Sequence, residues 1–290
     1  MHGSLWHPGC MTKIAVIGGG KIGEALIGGL LSGDYDPTDI VVANRRPERS
    51  DELKERYGVT AVDDDATAVE NADIAFLCVK PYDTLGVVES IADVVDHNDT
   101  DTILVSMAAG ITLSSLEGIA SAGTAIVRVM PNTPMLVGKG VNVIARGRFV
   151  SDEQLETVSD LLGLLGYTAE VKESQMDAAT AVSGSGPAYF FLVLEAMTDA
   201  GVNLGLPREL AKELASQTAL GASTMATQEG ADPVQLRANV SSPGGTTSAA
   251  TRALDENGLR TAFYRAMEAC AKKSEELGKP ASKSDNSGDN

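Results

Sequence analysis

Six consecutive residues, Gly18-Gly19-Gly20-Lys21-Ile22-Gly23, fit the pattern G-x-G-x-x-G directly after the apolar run Ile14-Ala15-Val16-Ile17. In dinucleotide binding the first glycine permits a tight strand-to-helix turn. The second lets the main chain approach a pyrophosphate, and the third lets helix and strand pack closely. The helix opening there offers free N–H groups to the phosphates. A glycine turn in an α/β fold that binds no nucleotide would read the same way. The strand–turn–helix context favours the nucleotide, with Ile17 through Gly23 as the cradle.

The coenzyme type is read at the end of the next strand. A carboxylate there would accept from the ribose 2′-hydroxyl of NADH. Instead Val41-Val42-Ala43 runs into Asn44-Arg45-Arg46. Guanidinium forks match a 2′-phosphate, so NADPH is expected, with NADH as the alternative; solvated loop charges are the plain reading of the same arginines. Two further loops end strands where an open α/β sheet binds its ligand: Val79-Lys80-Pro81, and Ser106-Met107-Ala108-Ala109-Gly110. Lys80 could orient the ribose–nicotinamide region or be a surface lysine before a proline turn. Asn132 and Thr133, between Pro131 and Pro134, could bind a small polar ligand or form a rigid turn.

Two stretches farther on combine glycine with hydroxyls ahead of helical runs: Ser183-Gly184-Ser185-Gly186-Pro187-Ala188 and Ser241-Ser242-Pro243-Gly244-Gly245-Thr246-Thr247. Backbone N–H groups in such places make an anion pocket, suited to a carboxylate as well as a phosphate. Ordinary N-capping by Ser and Thr is the competing account.

The elements that must position these residues follow from pattern. Candidate strands are Thr12–Ile17, Ile40–Ala43, Val59–Val62, Asp73–Val79, Thr102–Met107, Ala125–Met130, Val141–Ala145 and Tyr167–Val171, alternating with helical stretches. Near-continuous apolar runs such as Ile74-Ala75-Phe76-Leu77 suit strands covered on both faces, and the alternation predicts a parallel α/β sheet of Rossmann type. Ser151 through Gln154 reads as a capping box, and so does Asp232 through Gln235. Beyond about residue 174 strand signals stop. Pro187, Pro207 and Pro233 then mark first helical turns, Asn257-Gly258 and Gly278 mark stops, and small residues across Ala211–Ala226 permit close helix packing. We therefore expect residues 1–10 as a leader, 11–173 as a dinucleotide-binding domain, 174–278 as an all-helical domain, and 279–290 as a disordered tail.

Composition narrows the chemistry. The 290 residues carry 23 basic and 40 acidic side chains, a formal charge of −17, which argues against nucleic acid as a partner. No apolar stretch reaches the roughly 20 residues a membrane span needs, and no secretion signal is evident. Of 3 histidines, His2 and His7 lie in the leader, leaving His97 in a polar stretch, so histidine acid–base catalysis has almost no candidate. Cys10, Cys78 and Cys270 have no paired spacing, so neither a metal site nor a disulfide framework is expected, and a cytoplasmic protein is.

The segment Val240 through Thr247, followed by Ala250 and Leu254, resembles the signature of the pyrroline-5-carboxylate reductase family. The resemblance extends over about residues 12–277 and includes the glycine-rich start, Val79-Lys80-Pro81, Ser106 through Gly110, Met130 through Pro134, and Ser183 through Tyr189. It implies NAD(P)H-dependent reduction of 1-pyrroline-5-carboxylate to L-proline, the last step of proline biosynthesis. It implies that Gly245, Thr246 and Thr247 hold the substrate carboxylate with help from Ser242, and that the Thr247 hydroxyl is catalytic, near the ring nitrogen. Val79, Lys80, Pro81, Met107, Ala108 and Ala109 would lie along the coenzyme, toward its nicotinamide half. The helical domain becomes a dimerisation domain, and the site forms where domains meet across a homodimer, which can assemble into a larger ring. An asparagine common in the family near the adenosine is replaced here within Asp63-Asp64-Asp65.

Alternatives are a related cyclic-imine reductase and a non-catalytic NADP-binding regulatory protein. A 3-hydroxyacid-type dehydrogenase is disfavoured, because Gly186–Leu204 has no lysine. A protonated imine is already electrophilic, which agrees with the scarcity of histidine.

Overall fold

In the run Ile14-Ala15-Val16-Ile17 every residue is buried, yet Ile14 and Val16 join one apolar cluster while Ala15 and Ile17 join another. Strand side chains alternate between faces, so the strand sits between two cores. The computed structural model describes residues 12–278; the leader expected at 1–10, with His2, His7 and Cys10, and the tail expected at 279–290 lie outside the described residues.

The sheet has eight strands among the described residues: β1 (Ile14–Ile17), β2 (Ile40–Ala43), β3 (Thr60–Val62), β4 (Ile74–Leu77), β5 (Ile103–Ser106), β6 (Ala125–Met130), β7 (Gly140–Arg146) and β8 (Gly166–Glu170). Their order is β3-β2-β1-β4-β5-β6-β7-β8. The chain winds outward from β1 in one direction and from β4 in the other, so the β1/β4 boundary is the topological switch point.

Helices cover both faces. On one side lie α1 (Lys21–Ser32), α2 (Pro47–Tyr57) and α6 (Asp152–Gly163). On the other lie α3 (Asp65–Val69), α4 (Pro81–His97), α5 (Leu113–Glu117) and α7 (Met176–Ala179). Helix α1 buries Gly23, Leu26, Ile27 and Leu30, the i, i+3, i+4, i+7 stripe of an amphipathic helix. The Ser151–Gln154 capping box opens α6 as expected, with both reciprocal bonds present.

One expectation about the sheet is corrected. It is not wholly parallel: β7 pairs antiparallel with β6. Only residues 131–139 join the two strands, too few for the crossover of a dozen or more that parallel pairing needs.

Contacts divide the chain into two compact units, one comprising residues up to 184 together with those from 271, the other Ser185–Cys270. The second is helical: α8 (Gly186–Asn203), α9 (Arg208–Ala226), α10 (Pro233–Asn239), α11 (Thr246–Glu256), and α12 (Leu259–Gly278) through residue 270. A Cβ on Gly201 of α8 would stand 3.1 Å from the Ala211 Cβ of α9, the close approach that small residues permit. This unit has little core of its own. Helices α10 and α11 bury no residue, and Phe190, Phe191 and Leu192 are each more than 60% exposed. So large an unpartnered apolar surface marks a protein–protein interface.

Three local expectations are corrected in the helical region. Pro207 is the N-cap of α9 rather than a first-turn residue. Asp232 caps α10 through the Val234 N–H alone, because Gln235 turns forward to Asn239. Residues Thr180–Gly184 form a π-helical turn, not an open glycine–serine loop; the Ser183 hydroxyl bonds back to the Ala179 carbonyl at 2.9 Å. Single-turn π segments carry no periodicity that a sequence pattern can display. Among the described residues no helix is long and apolar enough to cross a membrane.

Candidate active site

The glycine-rich turn joins β1 to α1 at the switch point. Gly18 has φ +100°, its N–H donates to the Ala43 carbonyl at 2.9 Å, and a Cβ on it would meet the Cys78 carbonyl carbon at 3.0 Å. A Cβ on Gly23 would stand 2.1 Å from the Gly18 carbonyl oxygen. Around Gly20 such an atom would meet nothing within 4 Å. Two glycines are thus demanded by the turn itself, whereas the exposed Gly20 faces open space.

That space is a cleft of about 1040 Å³ at the carboxyl ends of the central strands. Gly18 to Ile22, Asn44 to Arg46, Val79 to Pro81 and Met107 to Ala109 all line it. Of the residues expected at the coenzyme, Ile17 and Gly23 alone do not: Ile17 is wholly buried in β1, and Gly23 is buried where α1 meets the turn. The lining is suited to a dinucleotide. Asn44 presents a buried amide nitrogen with no hydrogen-bond partner beside Gly19, a donor that a ligand oxygen would satisfy. The open approach over Gly20 leads to the amino terminus of α1, which favours anions.

A second layer braces the turn. Arg49 of α2 donates from Nε to the Gly19 carbonyl at 2.7 Å. Its guanidinium also pairs with Glu24 and Glu52, while Arg56 and the Tyr57 hydroxyl reach Glu24 as well. Burial pushes the Glu24 carboxyl up, but the Arg49 and Tyr57 hydrogen bonds outweigh it and hold the group below its ordinary range.

At the β2 end, Arg45 reaches Asp83 in the first turn of α4, Nη2 to Oδ2 at 2.8 Å. Asp65 also lines the cleft. Burial raises its carboxyl, the neighbouring Asp64 raises it further, and Arg45 opposes both. The sequence reading named Asp65 only within the run that replaces the family's asparagine, and it missed Asp83. Asp83 was signalled by its place just after Val79-Lys80-Pro81, on a helix turn that must open at the cleft. Its pairing with a residue 38 positions earlier was not.

Lys80 is the exposed N-cap of α4, and Met107 and Ala108 are buried at the end of β5. Cys78 sits with its sulfur 3.6 Å from that of Met107, and burial pushes its thiol up to about 12, so it stays neutral. Asn132 is held internally: its amide donates to the Ser183 carbonyl at 2.9 Å and its oxygen accepts from the Val141 N–H at 2.8 Å. That favours the rigid-turn account of Pro131–Pro134. His97 is exposed at the last turn of α4, its ring nitrogen 2.7 Å from the Asp93 carbonyl, well removed from the cleft lining.

In the helical unit, Gly244 has φ +69° and the Gly245 N–H donates to the Ser242 carbonyl at 3.0 Å, forming a tight turn. Gly245 is the N-cap of α11 and receives no side-chain cap. The first helical bond is donated by Ala249, to the Gly245 carbonyl, so the amides of Thr246, Thr247 and Ser248 are not used by the helix. Ser242 is exposed, Thr247 half-buried, and the Ser248 hydroxyl donates to the Ser242 carbonyl at 2.6 Å. A carboxylate fits such a terminus.

Comparison with known proteins gives the family. A family model described as pyrroline-5-carboxylate reductase dimerisation matches residues 173–277. A second, described as NADP oxidoreductase coenzyme F420-dependent, matches residues 13–110. The pyrroline-5-carboxylate reductase of Corynebacterium melassecola is 55% identical over 269 residues, covering 93% of this chain and all of that protein. The chain belongs to the pyrroline-5-carboxylate reductase family. Among solved structures, the family member from Coxiella burnetii is 36% identical with a TM-score of 0.88, covering 93% of this chain and 100% of that one. The Plasmodium falciparum pyrroline carboxylate reductase, solved with NADP bound, is 31% identical with a TM-score of 0.82, covering 92% and 98%. The family assignment makes this an oxidoreductase with an NADP-binding α/β domain and a dimerisation domain. It also accounts for the bare apolar helices of the second unit.

Proposed function

We propose that this chain carries out its family's reaction, reduction of 1-pyrroline-5-carboxylate to L-proline with NADPH, the last step of proline biosynthesis, as a cytoplasmic homodimer or a larger ring of dimers. The observation that carries the substrate half is the unused amide set at the start of α11, after the Gly244 turn. The Thr246 and Thr247 amides hold the carboxylate, with the exposed Ser242 hydroxyl beside them. The Gly245 N–H serves the turn. The Thr247 hydroxyl bonds to the ring nitrogen and keeps its proton in place.

In the cleft, the turn at Gly18–Gly20 and the start of α1 hold the pyrophosphate. Arg45 and Arg46 take the 2′-phosphate, and Val79, Lys80, Pro81 and Met107 to Ala109 line the nicotinamide half. When bound, NADPH supplies the hydride that adds to the imine carbon. The residues otherwise align the reactants and exclude water, which can supply much of a barrier reduction without a general acid. The neutral thiol of Cys78 and the remote His97 agree with that economy.

The deciding assay follows NADPH oxidation with 1-pyrroline-5-carboxylate beside its six-membered homologue. Turnover with the five-membered ring is expected, and its absence sinks the reading. Thr247→Ala should lower kcat/KM by about 10–150-fold, the equivalent of about 1.5–3 kcal/mol for a hydrogen bond to a charged group; unchanged kinetics would remove Thr247 from this role.

A further inference from the structure

The two arginines after β2 are not equivalent. Arg46 makes no ion pair among the described residues and lines the cleft. Arg45 lines the same cleft but is taken: its Nη2 lies 2.8 Å from Asp83 Oδ2. Its side chain is 77% exposed and that of Asp83 22% exposed, so the carboxylate in the first turn of α4 is the covered partner and the guanidinium the solvent-facing one. Asp65 lines the same region and adds negative charge near Arg45.

We infer that Asp83 is a specificity-determining residue that masks Arg45, so that a coenzyme 2′-phosphate must displace the Asp83 carboxylate to recruit that guanidinium. The inference rests on the placement of the 2′-phosphate at Arg45 and Arg46 proposed above. Its physical basis is competition between two anions for one fork. A coenzyme lacking the 2′-phosphate has no group that competes, so Asp83 taxes NADP(H) and leaves NAD(H) nearly untouched. The chain thereby holds its preference for NADPH below what two free arginines would give.

The test measures dissociation constants of NADP+ and NAD+ by calorimetry for the full chain, with thermal unfolding as a check on folding. Asp83→Asn keeps the side-chain shape and removes the charge. It should tighten NADP+ by about three- to tenfold, within the usual range of coupling between contacting charges, and change NAD+ by less than about twofold. In an Arg45→Ala background the same substitution should give less than about a twofold gain, because nothing is left to unmask. Weaker NADP+ binding, or an equal shift for both coenzymes, overturns the inference. So does a full gain that persists without Arg45, which would mean that Asp83 repels the phosphate directly. The double variant Arg45→Ala/Arg46→Ala addresses the underlying reading: if NADP+ affinity is unchanged, the phosphate is not at this loop, an outcome distinct from a silent Asp83→Asn.

Discussion

Gly20 and Gly23 hold different places in the motif, and they differ in what surrounds them. A methyl on Gly23 would press on the Gly18 carbonyl at 2.1 Å, a backbone atom that cannot swing aside. Gly23→Ala should therefore destabilise the protein by about 1–3 kcal/mol, the range for overpacking, read as a lower denaturation midpoint. Gly20 has φ −71° and ψ −167°, ordinary for alanine, with nothing within 4 Å of the added carbon. Gly20→Ala should stay within about 1 kcal/mol of the parent, the scale of an N-cap change, yet weaken NADPH binding in a titration, because the methyl occupies the pyrophosphate's approach. Loss of stability with unchanged coenzyme binding would reverse these roles. The motif's order already assigns packing to its third glycine, and the atoms around Gly23 agree.

At the scale of elements, α2 braces the turn that begins α1. Arg49 ties the Gly19 carbonyl to Glu24, and the Glu24 carboxyl is held below its ordinary range by its hydrogen bonds despite burial. The linkage sign follows. A carboxyl depressed in the folded state stabilises the protein above its unfolded value, and the contribution disappears as pH falls through the folded value. Glu24→Gln should cost on the order of 1–3 kcal/mol at neutral pH and progressively less toward acid. Chemical denaturation at neutral and acidic pH checks this; a penalty that does not shrink on acidification would mean that the network acts through packing. The composition of α2, Pro47-Glu48-Arg49-Ser50-Asp51-Glu52, reads as a solvated charged helix. That Arg49 turns inward to a carbonyl 30 residues earlier depends on how α2 lies beside α1.

For the whole molecule, the formal charge of −17 opposes an anionic coenzyme at long range. The cleft lining carries Lys21, Arg45, Arg46 and Lys80 against Asp65 and Asp83, so attraction takes over at short range. Salt screens the distant field first, with a Debye length of about 10 Å at 0.1 M. The apparent KM for NADPH should fall between low and moderate ionic strength in steady-state assays. A KM that only rises would show that the local arginines, and not the global field, govern entry. The exposed Phe190, Phe191 and Leu192 belong to this scale as well, since they lie in the region that the dimerisation family model matches.

The β1–turn–α1 unit, the two-faced sheet and the helical second region were legible in the sequence because each depends on local pattern: strand runs, glycine spacing, and helix caps and stops. The turn that opens α11 was legible through its glycines and hydroxyls. Other features were settled only by tertiary structure. The antiparallel β7 follows from a short connection whose consequence appears only in pairing. The π-turn at Thr180–Gly184 has no sequence period. The Asn132–Ser183 bond and the Arg45–Asp83 pair join residues 51 and 38 positions apart. Local pattern decides which backbone forms; which charged group faces which is decided by packing between distant segments.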